Sequence, residues 1–147
     1  MDLLYLDYNC FQRGFDDPSS IRIQMEALAC QEIFLQAERG KVRLIWSFMH
    51  EDETMLCPFP ERQYVALRLA TLCHRRVEPT PEIYKLAQSF QRKGQLSAKD
   101  ALHLAAAVHG DADAFVTCDD RLINRARRLQ IEMRIVNPVD YIRKEMS

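Results

Sequence analysis

The sequence predicts an α/β fold in which helices cover a mostly parallel β-sheet. Short runs that are apolar at every position, such as Leu3 to Leu6, suit strands that are buried on both faces of a sheet. Longer segments with apolar residues at helical spacing separate these runs. The chain therefore begins with a strand, a helix and a second strand, an order that implies a right-handed crossover between parallel strands.

Each predicted element is bounded by residues that start or stop it. Gly14 and Pro18 indicate a loop over residues 10–18, Ser19 or Ser20 can cap the helix that follows, and Gly40 ends that helix. The predicted strands span residues 3–6, 42–46, 114–117 and 133–136. The predicted helices span residues 21–39, 61–76, 81–92, 101–108 and 121–128, and a terminal helix begins at residue 138. The alanine-rich segment 101–108 is the best candidate for a buried central helix.

The composition is typical of a globular protein. Of the 147 residues, 48% are hydrophobic and 28% are charged, so we expect a single domain over residues 1–147. No apolar stretch is as long as a membrane span and no basic leader precedes the first strand, which predicts a cytoplasmic protein without a membrane partner. The net charge is −1, so any contact with nucleic acid must be local.

The five cysteines are widely scattered, odd in number and without a CxxC pair. This pattern excludes a simple disulfide framework and lacks the spacing of zinc ligands. We expect reduced, partly buried thiols.

Acidic residues occur where several of the predicted elements end or begin. Asp7 follows the first strand, Glu51 to Glu53 follow the second, Asp100 begins the alanine-rich helix, and Asp119 and Asp120 follow the third strand. Because the carboxyl ends of parallel strands meet at one edge of the sheet, where ligands bind in open α/β folds, we expect these side chains to converge.

Convergent carboxylates raise one another's pKa unless a positive charge lies between them. Mg²⁺ and Mn²⁺ prefer oxygen ligands and would supply that charge. Two such ions about 3.5–4 Å apart can orient a water molecule and stabilise the leaving oxygen in phosphodiester hydrolysis. The acidic pattern therefore favours a metal-dependent hydrolytic site.

Each acidic group also has a purely structural explanation. Asp100 lies three residues after Ser97, as in a capping box, so it can serve only the start of its helix. Asp119 or Asp120 can cap the next helix in the same way. At least two of the three acids in residues 51–53 are expected to be solvated.

Other polar side chains lie near the acids. His103 shares a helix face with Asp100, but a lone histidine in an apolar helix is more often packed in the core, so we leave it out of the site. Arg121 and Arg125 share one face of the helix that follows Asp119. They are suited to contact nucleic-acid phosphates beside a metal, although a solvated arginine is at least as common.

Four segments, taken in order, carry a family resemblance. They are Leu6 to Asn9, Trp46 to Glu53, Ser97 to Ala107 and Ala112 to Asp119. Together they resemble the PIN domain family, which includes VapC-like toxin ribonucleases. The resemblance implies a three-layer α/β/α sandwich on a mostly parallel sheet of four to five strands.

The resemblance also implies a catalytic quartet of acids that binds Mg²⁺ or Mn²⁺. By position, these acids are Asp7, Glu53, Asp100 and Asp119. Glu53 is chosen as the second acid because it lies six residues after Ser47, and Glu51 is the reserve. Asn9 and Thr117 resemble the small polar residues that support the first and fourth acids in this family.

The function that the resemblance implies is hydrolysis of RNA by an endoribonuclease, as the toxin of a type II toxin–antitoxin pair with a small antitoxin as its partner. Many relatives are homodimers, and the apolar content of residues 64–72 allows a dimer here.

Two alternatives stay open. A PIN-fold module can keep the acids and yet only bind a partner. A metal-dependent phosphatase also places an Asp after its first strand, but Asn9 occupies the position where its second Asp is expected.

Overall fold

A computed structural model describes residues 1–145 and shows an α/β fold. Its strands are β1 (Leu3–Leu6), β2 (Arg43–Ser47), β3 (Arg75–Val77), β4 (Ala114–Val116) and β5 (Arg134–Val136). Its helices are α1 (Tyr8–Gln12), α2 (Ile21–Glu38), α3 (Phe48–Met55), α4 (Pro60–Ala70), α5 (Pro81–Gly94), α6 (Ala98–His109), α7 (Asp120–Arg127) and α8 (Pro138–Glu145). The strands form one sheet in the order β3-β2-β1-β4-β5, and every pair is parallel. The predicted fold class is confirmed.

Different helices cover the two faces of the sheet. Side chains alternate along β1, so Leu3 and Tyr5 pack with α5, α6 and α7 on one face. Leu4 and Leu6 pack with α1, α2, α4 and α8 on the other face. The three-layer sandwich is therefore confirmed, and α6 is a buried helix as predicted.

Two local predictions are wrong. Residues 61–76 do not form one helix, because α4 ends at Ala70 and Arg75–Val77 form β3 at the edge of the sheet. The backbone N–H of His74 donates to the carbonyl of Leu44 at 2.9 Å, and such pairing with a distant strand is not visible in local periodicity. Residues 10–18 do not form a continuous loop, because α1 and a 3₁₀ turn over Arg13–Phe15 occupy much of this segment.

The carboxyl edge of the sheet places the predicted acids on one side of the molecule. Asp7 follows β1, and Ser47 at the end of β2 caps α3, the helix that carries Glu53. Asp119 follows β4 and caps α7, while Asp100 lies in the first turn of α6. Because α6 leads into β4, its start lies at the same edge.

Within residues 1–145, we find no helix with both the length and the apolar character needed to cross a membrane.

Candidate active site

Asp7 is a buried acid, with 7% of its surface exposed. One carboxylate oxygen, Oδ1, accepts a hydrogen bond from the next backbone N–H at 2.8 Å and so caps α1. The other, Oδ2, accepts from the hydroxyl of Thr117 at 2.7 Å. Burial raises the pKa of Asp7, and the negative charges of Asp100 and Glu53 raise it further, against the opposing effects of His103 and the Thr117 hydrogen bond. The neighbours of Asp7 therefore do not fully stabilise its negative charge.

Asn9 and Thr117 join Asp7 to the end of β4. The amide nitrogen of Asn9 lies 3.2 Å from both Asp7 Oδ2 and Thr117 Oγ1, and its amide oxygen accepts from the backbone N–H of Cys118 at 3.3 Å. The backbone N–H of Asp119 donates to Thr117 Oγ1 at 3.1 Å. Both predicted supporting residues thus contact the first acid, and Thr117 also contacts the backbone of the fourth.

Glu53 and Glu51 point to different partners. Glu51 Oε2 accepts a hydrogen bond from the indole N–H of Trp46 at 2.8 Å. Glu53 has 13% of its side chain exposed, and its Oε1 lies 3.0 Å from Lys99 Nζ and 3.1 Å from His103 Nε2. Burial alone would raise the pKa of Glu53, but these two partners outweigh it and lower the pKa. Glu53 also contributes to the raised pKa of Asp7, which supports its choice over Glu51 as the second acid.

His103 links Glu53 to the core, a contact that sequence reasoning missed. Its ring is fully buried, and Nδ1 lies 2.7 Å from the hydroxyl of Tyr5. That hydroxyl lies 2.7 Å from Ser47 Oγ. In the tautomer with the proton on Nε2, His103 donates to Glu53 and its Nδ1 accepts from the Tyr5 hydroxyl. Each of these side-chain atoms then has a hydrogen-bond partner. The three-residue spacing from Asp100 was the available sequence signal.

His50 holds the other end of this network as a neutral ring. Burial and nearby His103 lower the pKa of His50 to about 3, against a smaller rise from its bond to Leu6. Nε2 therefore donates to the Leu6 carbonyl at 2.6 Å, and Nδ1 accepts from the backbone N–H of Ser47 at 2.9 Å. The turn from β2 into α3 is fixed in this way.

Asp119 caps α7 with its side chain as the sequence suggested, whereas α6 is capped by the side chain of Ser97 and Asp100 lies in its first turn. The backbone N–H of Asp100 donates to Ser97 Oγ at 3.1 Å. Asp119 Oδ1 accepts from the first backbone N–H groups of α7 at 3.0 and 3.1 Å. Burial raises the pKa of Asp100, opposed by the Ser97 hydrogen bond and increased by the charge of Asp119. The two acids are thus close enough to interact, and capping does not exclude a second role.

The four predicted acids do not form a closed ligand shell. Within residues 1–145, no three of them bring their carboxylate oxygens within 4.8 Å of one another. One oxygen, Glu53 Oε2, is buried without a hydrogen-bond partner in the described structure. An ion such as Mg²⁺ keeps several water ligands and needs only one or two carboxylates. The residues present are therefore compatible with a divalent ion that keeps water ligands, and the Glu53 oxygen without a partner is a candidate to contact it.

The two predicted nucleic-acid contacts lie on α7 in different environments. Arg121 is exposed, whereas Arg125 is partly buried and donates from Nη1 to the backbone carbonyl of Gln95 at 2.8 Å. Asp120 points elsewhere, in a two-bonded pair with Arg22 at 2.7 Å. Of these residues, Arg121 is best placed to meet a phosphate.

A sequence profile of the PIN domain matches residues 21–129, well over half of the chain. The chain belongs to the PIN domain family. Members are generally nucleases that act on RNA with divalent metals, so this chain has a nuclease fold. Glu53, Asp100 and Asp119 lie inside the matched region, whereas Asp7 and Asn9 precede it and connect to it through Thr117. No curated protein matches the sequence at a significant level.

Proposed function

We propose that this PIN domain is a metal-dependent endoribonuclease that hydrolyses phosphodiester bonds in RNA. The observation that carries the proposal is that four acids from four separate elements lie at the carboxyl edge of the sheet, where Glu53 Oε2 is buried without a hydrogen-bond partner in the described structure. Asp100 and Glu53 oppose the ionisation of Asp7, and Asp119 opposes that of Asp100. A cation would offset the repulsion between these carboxylates, and acids whose pKa is shifted by their neighbours are common in functional sites.

The residues that would hold the ion are Asp7, Glu53, Asp100 and Asp119. A bound Mg²⁺ or Mn²⁺ would make a water ligand more acidic and stabilise negative charge on the leaving oxygen. Thr117 and Asn9 fix the orientation of the Asp7 carboxylate, and Lys99 and His103 fix that of Glu53. The protein thus orients its ligands before substrate binds, which is the requirement for electrostatic catalysis.

RNA would approach over the start of α7. The exposed guanidinium of Arg121 lies two residues after Asp119, so it can hold a backbone phosphate next to the acids. Arg125, whose guanidinium already binds Gln95, is expected to position this helix more than to hold RNA.

Cleavage of a mixed single-stranded RNA pool tests the proposal. With Mn²⁺ present, Asp7→Asn and Glu53→Gln should each lower the cleavage rate by at least about 100-fold. Asp52→Asn, an exposed change on the same helix, is the matched control and should cleave at the wild-type rate. Chelator should abolish cleavage, and added Mn²⁺ should restore it.

The same assay separates the alternatives. Equal cleavage by the wild type and Asp7→Asn would reveal a contaminant, and a folded wild type that cleaves nothing would favour a partner-binding module. Hydrolysis of a phosphate monoester without RNA cleavage would favour the phosphatase. Loss of activity in Glu51→Gln, with full activity in Glu53→Gln, would move the second acid to Glu51.

The toxin role, the antitoxin partner, the homodimer and the cytoplasmic location are finer parts of the proposal. Induced expression should arrest growth with the wild type but not with Asp100→Asn, and a small protein encoded beside a toxin should relieve the arrest. Tyr64 and Leu67 on α4 are 61% and 44% exposed, and such apolar surface suits a homodimer contact. Light scattering during gel filtration would give the mass of the assembly.

A further inference from the structure

Three cysteines that are far apart in the sequence meet on the face of the sheet covered by α1 and α2. Cys10 lies in α1, Cys30 in α2, and Cys118 lies two residues after the end of β4. All three are buried, and their sulfur atoms all lie within 4.8 Å of one another. The sequence has no zinc-ligand spacing because each sulfur comes from a different element. We refer to Cys10, Cys30 and Cys118 as the thiol trio.

The dimensions of the thiol trio suit a thiophilic metal ion. A zinc–thiolate bond is about 2.3 Å long, which places sulfurs around a tetrahedral zinc about 3.8 Å apart. The sulfurs already lie within 4.8 Å, so shifts of less than about 1 Å would complete a three-sulfur site. Cys10 Sγ makes two long hydrogen bonds, 3.5 Å to the Val116 carbonyl and 3.6 Å to Asn9 Oδ1. These weak contacts cost little to replace by metal bonds.

Charged side chains next to the thiol trio compensate for bound thiolates. The guanidinium of Arg13 lies beside Cys118 and is positive. Arg13 also forms an ion pair with Glu26 at 3.0 Å. Glu26 lies near Cys30, pairs with Arg22 as well, and accepts a 2.6 Å hydrogen bond from the amide of Asn137. Thiolates in this site therefore have a positive neighbour in Arg13, and the carboxylate of Glu26 is already paired with Arg13 and Arg22.

A cavity provides an entry path to the thiol trio. It has a volume of about 440 Å³ and lies between α2, α4, and α1 with the 3₁₀ turn that follows α1. Both Cys10 and Cys30 are in its lining. A buried metal site needs such a path, and a cavity of this size can also admit a water molecule as a further ligand.

We propose that the thiol trio binds a thiophilic metal ion, Zn²⁺ or Cu⁺, through three deprotonated sulfurs. Soft thiolate ligands select these ions, whereas Mg²⁺ and Mn²⁺ prefer oxygen. Within the described residues no further His, Cys, Asp or Glu atom joins the three sulfurs, so Cu⁺ would be three-coordinate and Zn²⁺ would take water as its fourth ligand. Binding releases the thiol protons to solvent and involves no redox change.

This second metal site would stabilise the segments that hold the candidate active site. Cys10 follows Asn9, and Cys118 precedes Asp119 and donates its backbone N–H to Asn9 Oδ1. An ion shared by the thiol trio would connect both segments to α2. Metal binding by the thiol trio does not depend on nuclease activity, because none of the three sulfurs belongs to the candidate active-site acids.

Cobalt substitution tests the site in the full-length, reduced and metal-free protein. Co²⁺ titrated without oxygen, in excess Mg²⁺ to fill oxygen-ligand sites, should give thiolate-to-cobalt charge-transfer absorption that saturates at one ion per chain. Zn²⁺ or Cu⁺ should displace the cobalt, because both ions bind thiolate ligands more tightly than Co²⁺ does. X-ray absorption of the loaded wild type should show three sulfur neighbours, at about 2.3 Å for zinc.

Cysteine variants assign the ligands. Cys30→Ser should remove most of the charge-transfer absorption and weaken the affinity for the displacing ion by at least about tenfold. Cys73→Ser, a partly buried cysteine outside the trio, is the matched control and should keep the spectrum. Absence of charge-transfer absorption in the wild type, fewer than three sulfurs around the ion, or equal loss in Cys73→Ser would each overturn the proposal. Because the first two results come from the wild type, a variant that fails to fold does not remove the test.

Discussion

His103 is the residue through which the buried core contacts Glu53. Its two ring nitrogens lie near Tyr5 and Glu53, at 2.7 and 3.1 Å. His103→Gln can keep a donor near the position of Nε2, whereas His103→Asn can keep only the contact with Tyr5. We therefore expect His103→Asn to weaken Mn²⁺ binding by about 10- to 100-fold, the usual effect of removing a residue that orients a metal ligand.

Isothermal titration of metal-free protein with Mn²⁺ measures this effect, and His103→Gln is the control that should bind within a few-fold of wild type. Circular dichroism would show that both variants fold. Equal Mn²⁺ affinity in His103→Asn and wild type would show that His103 only packs in the core.

The stability of the metal-free protein should depend on pH in opposite ways through Asp7 and Asp120. The folded pKa of Asp7 is raised, mainly by burial, so its contribution to stability is lost as pH rises from the ordinary Asp value of about 3.9 through the raised pKa. The folded pKa of Asp120 is lowered, mainly by its hydrogen bonds with Arg22. Its contribution is lost as pH falls through the lowered pKa.

Urea unfolding in chelator at a series of pH values tests these signs. As pH rises, Asp7→Asn should become more stable relative to wild type, and Asp120→Asn should become less stable relative to wild type. The same sign of change in both variants would contradict the assignment of their pKa shifts.

Single residues also show what the sequence could and could not reveal about the site. The positions of Asp7, Asp100 and Asp119 at one edge of the sheet were predictable, because a carboxylate after a buried strand or at the start of a helix is a local pattern. The contact of His103 with Glu53 and the meeting of the thiol trio join residues on different elements. Such contacts depend on how the elements pack, and no local pattern encodes their distances.

At the scale of elements, the apolar strands and long helices were predictable, and the edge strand β3 was not. Central strands such as β1 are apolar because both faces are covered. By contrast, β3 has only three residues, and Arg75 and Arg76 within it are exposed. Charged residues are common on edge strands, where they discourage further pairing, so hydrophobicity gives no signal there. The pairing with β2 defines this strand.

Gly110 sets how closely the end of α6 approaches β2 and β3. A methyl group at this position would lie 2.9 Å from Val77 Cγ2 and 3.1 Å from Ile45 Cδ1. Gly110→Ala should therefore lower the free energy of unfolding by about 1–3 kcal/mol, the usual cost of overpacking, and should speed amide hydrogen exchange in β3. Gly14→Ala is the control, because a methyl group there has no atom within 4 Å. Chemical denaturation of both variants measures the difference, and equal stability would show that β3 shifts without cost.

At the scale of the whole molecule, a nearly neutral chain carries its acids on one edge of the sheet. The net charge is −1, yet the charges of Asp100 and Glu53 raise the pKa of Asp7, and the charge of Asp119 raises the pKa of Asp100. The metal-free fold therefore includes a local repulsion that overall charge does not reveal. A divalent ion would remove this repulsion, so metal binding should stabilise the whole fold.

Mn²⁺ should raise the free energy of unfolding of the wild type by about 2.7 kcal/mol at 100 times its dissociation constant. Asp7→Asn should lose most of this gain, because its neutral side chain is a poor ligand for a hard cation. Asp120→Asn should keep the gain, since Asp120 pairs with Arg22 outside the site. Cys30→Ser should keep it too, because Mn²⁺ prefers oxygen to sulfur. Thermal and urea unfolding with and without Mn²⁺ measure these gains, and an equal gain in Asp7→Asn and wild type would place the divalent ion elsewhere in the protein.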